Sequence, residues 1–68
     1  MEKVVLNVNG MTCSHCEKAV TNAVSALAGV SKVVVDLAAK TVTVEYQAGL
    51  SEPADFKLAI EDQGYDVE

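Results

Sequence analysis

The residues best equipped for chemistry stand together near the start of the chain, in the run Gly10-Met11-Thr12-Cys13-Ser14-His15-Cys16. Cys13 and Cys16, three positions apart, are the only two cysteines in the sequence. Placed on a loop and on the opening turn of a helix, two thiols at this offset come together. The unsatisfied N–H groups and the macrodipole at that helix end favour anionic sulfur. Thiolates are nucleophiles and soft donors, so the chemistry on offer is thiol–disulfide exchange or the binding of a soft metal such as Cu(I). Structural zinc usually takes four ligands. One cysteine pair beside one histidine, His15, makes a closed zinc site within the chain hard to build. An open pair of thiolates fits a linear monovalent ion better, and leaves it open to attack by a partner's thiolate. Taken alone, Cys-x-x-Cys is a weak signal, shared by redox enzymes, zinc ribbons and metal carriers.

The elements that must hold this run can be read from residue periodicity. Lys3 to Val8 places Val4, Leu6 and Val8 on one face and Val5 and Asn7 on the other, which predicts a first strand broken by Asn9-Gly10. From Ser14 to Leu27 the residues Cys16, Ala19, Val20, Ala23, Val24 and Leu27 recur at helical spacing, and Gly29 is suited to the left-handed stop. Val33, Val35 and Leu37 alternate with Lys32, Val34 and Asp36. After Ala38-Ala39-Lys40 the alternation resumes with Val42, Val44 and Tyr46, which predicts a hairpin with one wet face. Ser51-Glu52-Pro53 resembles a helix start with serine as cap, Phe56, Ala59 and Ile60 continue it, and a short strand near Tyr65 to Val67 follows Gly64. The order β-α-β-β-α-β predicts an α+β, ferredoxin-like fold: a four-stranded antiparallel sheet with two helices on one face. Residues 1–68 show no linker or repeat and read as one domain.

Composition limits what such a chain does. Sixty-eight residues leave no room for a large catalytic fold, and two cysteines are too few for the bridged framework of a small secreted scaffold. Five lysines, no arginine and ten carboxylates give a net charge of −5. Glu52, Asp55, Glu61, Asp62, Asp66 and Glu68 crowd the last third, which argues against nucleic acid and anionic membranes as partners. No apolar run approaches the roughly 18 residues of a membrane span, and Met1-Glu2-Lys3 leads into the first strand without a signal-like stretch. A soluble cytoplasmic protein with no direct membrane insertion is the expectation.

Context sharpens the cysteine signal. Gly-Met-Thr-Cys-Ser-His-Cys after a first strand, the element order across the whole chain and the late Gly64-Tyr65 together resemble the heavy-metal-associated domain family, with the look of its bacterial CopZ-type copper chaperones. The resemblance implies Cu(I) held by Cys13 and Cys16 and delivered by thiolate ligand exchange. The receivers would be the N-terminal metal-binding domains of a copper-transporting P-type ATPase, with a copper-responsive repressor as a further client. It also implies Met11 turned inward to support the loop, and a tyrosine, Tyr65, beside the loop where many eukaryotic relatives carry lysine.

Each residue also has a plainer reading. Cys13 and Cys16 can be structural thiols, although the helix-start position speaks for ligands. Met11 is read as a core filler rather than a thioether ligand. His15 tunes the thiolates from nearby or is a solvated side chain, in preference to ligating metal directly. Tyr65 either packs in the core or shields the site and offers its hydroxyl to a sulfur. Glu17 and Lys18 read as solvated.

Three other functions compete. One is a metal-binding domain cut from a metal-transporting ATPase, and another is a carrier of zinc, cadmium or mercury. The third is a thiol-disulfide oxidoreductase, which would need a longer chain and a proline loop facing the cysteines. The only proline, Pro53, sits at a helix start instead. Unfilled copper coordination predicts metal-bridged self-association at higher copper loading.

Overall fold

Side-chain alternation decides which way each strand faces. In the computed structural model, which describes residues 1–11 and 14–68, strand β1 spans Glu2–Asn9, and Val4, Leu6 and Val8 are progressively withdrawn from solvent while Lys3, Val5 and Asn7 face out. Strand β2 (Val30–Asp36) turns Val33 and Val35 inward, and β3 (Thr41–Tyr46) buries Val42, Val44 and Tyr46 in strict alternation. β-branched residues dominate β2 and β3, as a half-buried pleated surface favours. β3 lies between β1 and β2, pairing antiparallel with each. The two-residue β4 (Asp66–Val67) adds to the free edge of β1, giving the order β2-β3-β1-β4.

Two helices, α1 (Ser14–Ser25) and α2 (Pro53–Asp62), cover the inward face. Val20 and Val24 of α1 and Phe56 and Ile60 of α2, each pair four residues apart, join Val8, Met11, Val42, Val44, Tyr46 and Val67 in one buried cluster. The rings of Tyr46 and Phe56 meet edge to face, with centroids 4.9 Å apart. The predicted βαββαβ architecture is the one observed.

Three boundaries differ from the sequence reading. α1 ends at Ser25 rather than Leu27, because the amide of Leu27 turns back to the carbonyl of Val24 and tightens the last turn. β4 begins at Asp66, so Tyr65 precedes it. Ser51 does not cap α2. Glu52 holds the N-cap with Pro53 in the first turn, and the Asp55 carboxylate accepts the Glu52 amide at 2.9 Å. Ser51 is buried, and its hydroxyl donates to the carbonyl of Ala28, tying the end of α1 to the start of α2. Gly29 takes the left-handed stop that was expected, with φ +76°.

Among the described residues no helix is long and apolar enough to cross a membrane.

Candidate metal site

The antiparallel register carries several segments to one end of the molecule. Asn7 of β1 pairs with Thr41, which pairs with Asp36 on its other side, so the β2–β3 turn at residues 37–40 lies level with the end of β1. The Asp36 carboxylate accepts the Ala39 amide at 3.0 Å in that turn, and the Lys40 carbonyl accepts the Val8 amide at 2.9 Å. On the other flank Asn9 pairs with Asp66, which brings Tyr65 to the same level. The start of α1 follows the end of β1 by only a few residues, so Gly10, Met11 and the Ser14–Cys16 turn belong to this end.

Within the run, Gly10 turns the chain out of β1 with φ +98°, a region open to glycine and strained for other residues. A Cβ on Gly10 would sit 3.5 Å from Cδ1 of Tyr65, so the tyrosine ring lies against the loop backbone. Met11 is 4% exposed and packed in the core cluster, where it anchors the loop from below. Cys16 stands on the first turn of α1, half-buried, on the same stripe as Val20 and Val24 and packed against the core. His15, one residue earlier, is exposed. Tyr65 is half-buried and packs on the core edge. Cys13, the other expected ligand, lies outside the described residues. The structure therefore gathers Met11, His15, Cys16 and Tyr65 at one end. Glu17 is partly buried and Lys18 exposed.

This arrangement presents sulfur at a helix start, where backbone dipoles favour its anionic form, on a turn held by a buried thioether and a packed ring. Among the described residues no three Cys, His, Asp or Glu side chains converge. The sequence reading treated Gly10 as a strand breaker and placed Tyr65 beside the loop by resemblance alone; that the ring meets the backbone of Gly10 itself comes from the structure. That contact joins residues far apart in sequence and becomes visible only once β4 is paired with β1.

Comparison with known proteins decides the family. Residues 5–66 match the heavy-metal-associated domain. The chain belongs to the heavy-metal-associated domain family. It is 51% identical over 67 residues to the copper chaperone CopZ of Bacillus subtilis, covering 98% of this chain and 97% of that one. Its fold superposes on a solved CopZ metallochaperone with a TM-score of 0.97, at 42% identity, covering 98% of this chain and all of the other. A second solved structure is the N-terminal domain of a potential copper-translocating P-type ATPase from Bacillus subtilis in its Cu(I)-loaded state. It matches with a TM-score of 0.93 at 33% identity, covering 98% of this chain and 84% of that one. Heavy-metal-associated domains are metal carriers, not enzymes, so the oxidoreductase alternative is set aside.

Proposed function

We propose that this heavy-metal-associated domain is a cytoplasmic copper chaperone in which residues 1–68 act as one unit and Cys13 and Cys16 hold Cu(I). Copper is cargo here rather than a resident cofactor. The observation that carries the reading is the position of Cys16: a half-buried sulfur on the first turn of α1, in a chain that superposes over nearly its whole length on a copper metallochaperone. Soft thiolates match a soft monovalent ion, and a two-ligand shell leaves room for a third donor. Delivery follows from that room. A thiolate of the receiving domain forms a bond to copper, one chaperone sulfur leaves and takes up a proton, and a second exchange completes the transfer. The receiver is an N-terminal metal-binding domain of a copper-transporting P-type ATPase, a reading favoured by the close fold match to such a domain. A copper-responsive repressor is a further receiver of the same chemistry. The same match favours a second reading, in which this domain is itself part of a metal-transporting ATPase.

Met11 supports the loop from the core, Tyr65 covers its flank, and His15 tunes the site without ligating. Competition titration under reducing conditions tests the ligand assignment. The Cys13→Ser and Cys16→Ser variants should each lose most of the Cu(I) affinity, while His15→Ala retains it. Serine variants that bind Cu(I) as tightly as the parent would end the proposal. Titration with Zn, Cd and Hg ions on the same samples tests the choice of metal.

A further inference from the structure

Leu58 of α2 is 64% exposed although its neighbours on either side of the helix, Phe56 and Ile60, are fully buried. It opens into a groove formed with Leu27, just beyond the end of α1, and with Ala59; Asp55 and Asp62 complete the lining. Asp55, Leu58, Ala59 and Asp62 follow the i, i+3, i+4, i+7 pattern of one helix face. The groove thus has an aliphatic floor with a carboxylate towards each end of its α2 wall. At the helical rise those carboxylates stand about 10.5 Å apart along the axis. Lys57 lies on the other flank of α2, about 100° around the helix from Leu58, and does not line the groove.

We infer that this groove docks a basic amphipathic helix of a partner protein, one carrying Lys or Arg at positions i and i+7 around an aliphatic residue. Charge complementarity selects the occupant. Two cations seven residues apart on a helix have the same axial separation as Asp55 and Asp62, and the aliphatic residue between them covers Leu58. An acidic helix sets like charges against both carboxylates, and a neutral one offers no countercharge to Asp62 or to Asp55, whose one oxygen already accepts the Glu52 amide. A second copy of this chain is a poor occupant, because neither of its helices carries two lysines seven residues apart.

The test uses the intact metal-free protein and two synthetic helical peptides, identical except for Lys or Glu at i and i+7 around a central Leu. Titration is followed by amide chemical shifts. The Lys peptide should bind saturably, with the largest shifts at Leu27, Leu58, Ala59 and Asp62, and the Glu peptide should not. Leu58→Ala should weaken binding about tenfold by removing most of the apolar contact. Asp62→Asn should weaken it about threefold and reduce its dependence on salt. Cu(I) affinity, measured separately, should be unchanged in both variants. A failure of the docking account is thereby distinguishable from a failure of the copper account. Shifts scattered over Glu52, Glu61 and Glu68, equal binding of the Glu peptide, or groove shifts that depend on protein concentration without peptide would each overturn the inference.

Discussion

Gly10 and Gly29 face different obstacles to any side chain. Both have positive φ, +98° and +76°, but a Cβ on Gly10 meets only the Tyr65 ring at an ordinary 3.5 Å, whereas one on Gly29 would lie 2.7 Å from the Leu50 Cβ. Gly10→Ala should therefore cost about 1–3 kcal/mol of backbone strain. Gly29→Ala should cost at least about 1 kcal/mol more for the overpacked contact. Urea unfolding midpoints of the two variants measure the difference, and equal midpoints would show that Leu50 yields freely. Cysteine chemistry gives the second residue-scale prediction. A thiol must lose its proton to bind metal, so with Cys13 and Cys16 as the proposed ligands protons compete with copper for both. Apparent Cu(I) affinity should fall as pH falls, and a titration repeated across pH measures the slope. In a variant with one cysteine replaced by serine, one proton fewer is released on binding and the slope should be shallower.

At the scale of the elements, the second helix depends on a few placements. Phe56→Ala empties a fully buried site against Tyr46 and should cost about 3–5 kcal/mol. A domain of this size has only about 3–10 kcal/mol in hand, so that variant should lose a large share of its stability, read as a marked fall in the urea midpoint followed by circular dichroism. Ser51→Ala should cost about 1 kcal/mol, the typical worth of the hydroxyl bond to the Ala28 carbonyl. These placements also mark how far the sequence can be read. The alternation of Val42, Val44 and Tyr46 and the Phe56–Ile60 spacing declare β3 and α2, because burial on one face leaves a period that needs no tertiary knowledge. Ser51 was misread because serine is a common cap, whereas its hydroxyl is used by a carbonyl in the preceding helix-end segment. The end of α1 shifted for a related reason: Leu27 keeps the apolar stripe going, but its amide bond belongs to a tighter turn. At the site, the position of Cys16 on an opening helix turn was legible from the motif and the downstream stripe. The resemblance put Tyr65 beside the loop, but its contact with Gly10 was not legible from local pattern, since it depends on the pairing of β4 with β1.

For the molecule as a whole, the net acidic charge and the proposed open thiolate site pull in opposite directions. The net charge of −5 keeps copies apart. Unfilled copper coordination can be completed by sulfur from a second copy, which brings them together. Metal-free protein should sediment as a monomer, and the sedimentation coefficient should rise as copper per chain increases and again fall on adding a competing small thiol. Monomeric sedimentation at every copper loading would remove metal bridging from the account. Carriage itself needs only that two sulfurs hold the ion on a fold small enough to leave it accessible.

The central claim is that two cysteine sulfurs, and no nitrogen, bind Cu(I) in the monomeric complex. X-ray absorption at the copper edge, on samples carrying no more than one copper per chain and shown to sediment as monomer, tests it most directly. The account predicts a shell of two sulfur donors that is lost when Cys13 and Cys16 are both changed to serine and unaltered in His15→Ala. An imidazole nitrogen in the first shell, or a sulfur shell that survives the double serine change, would contradict it.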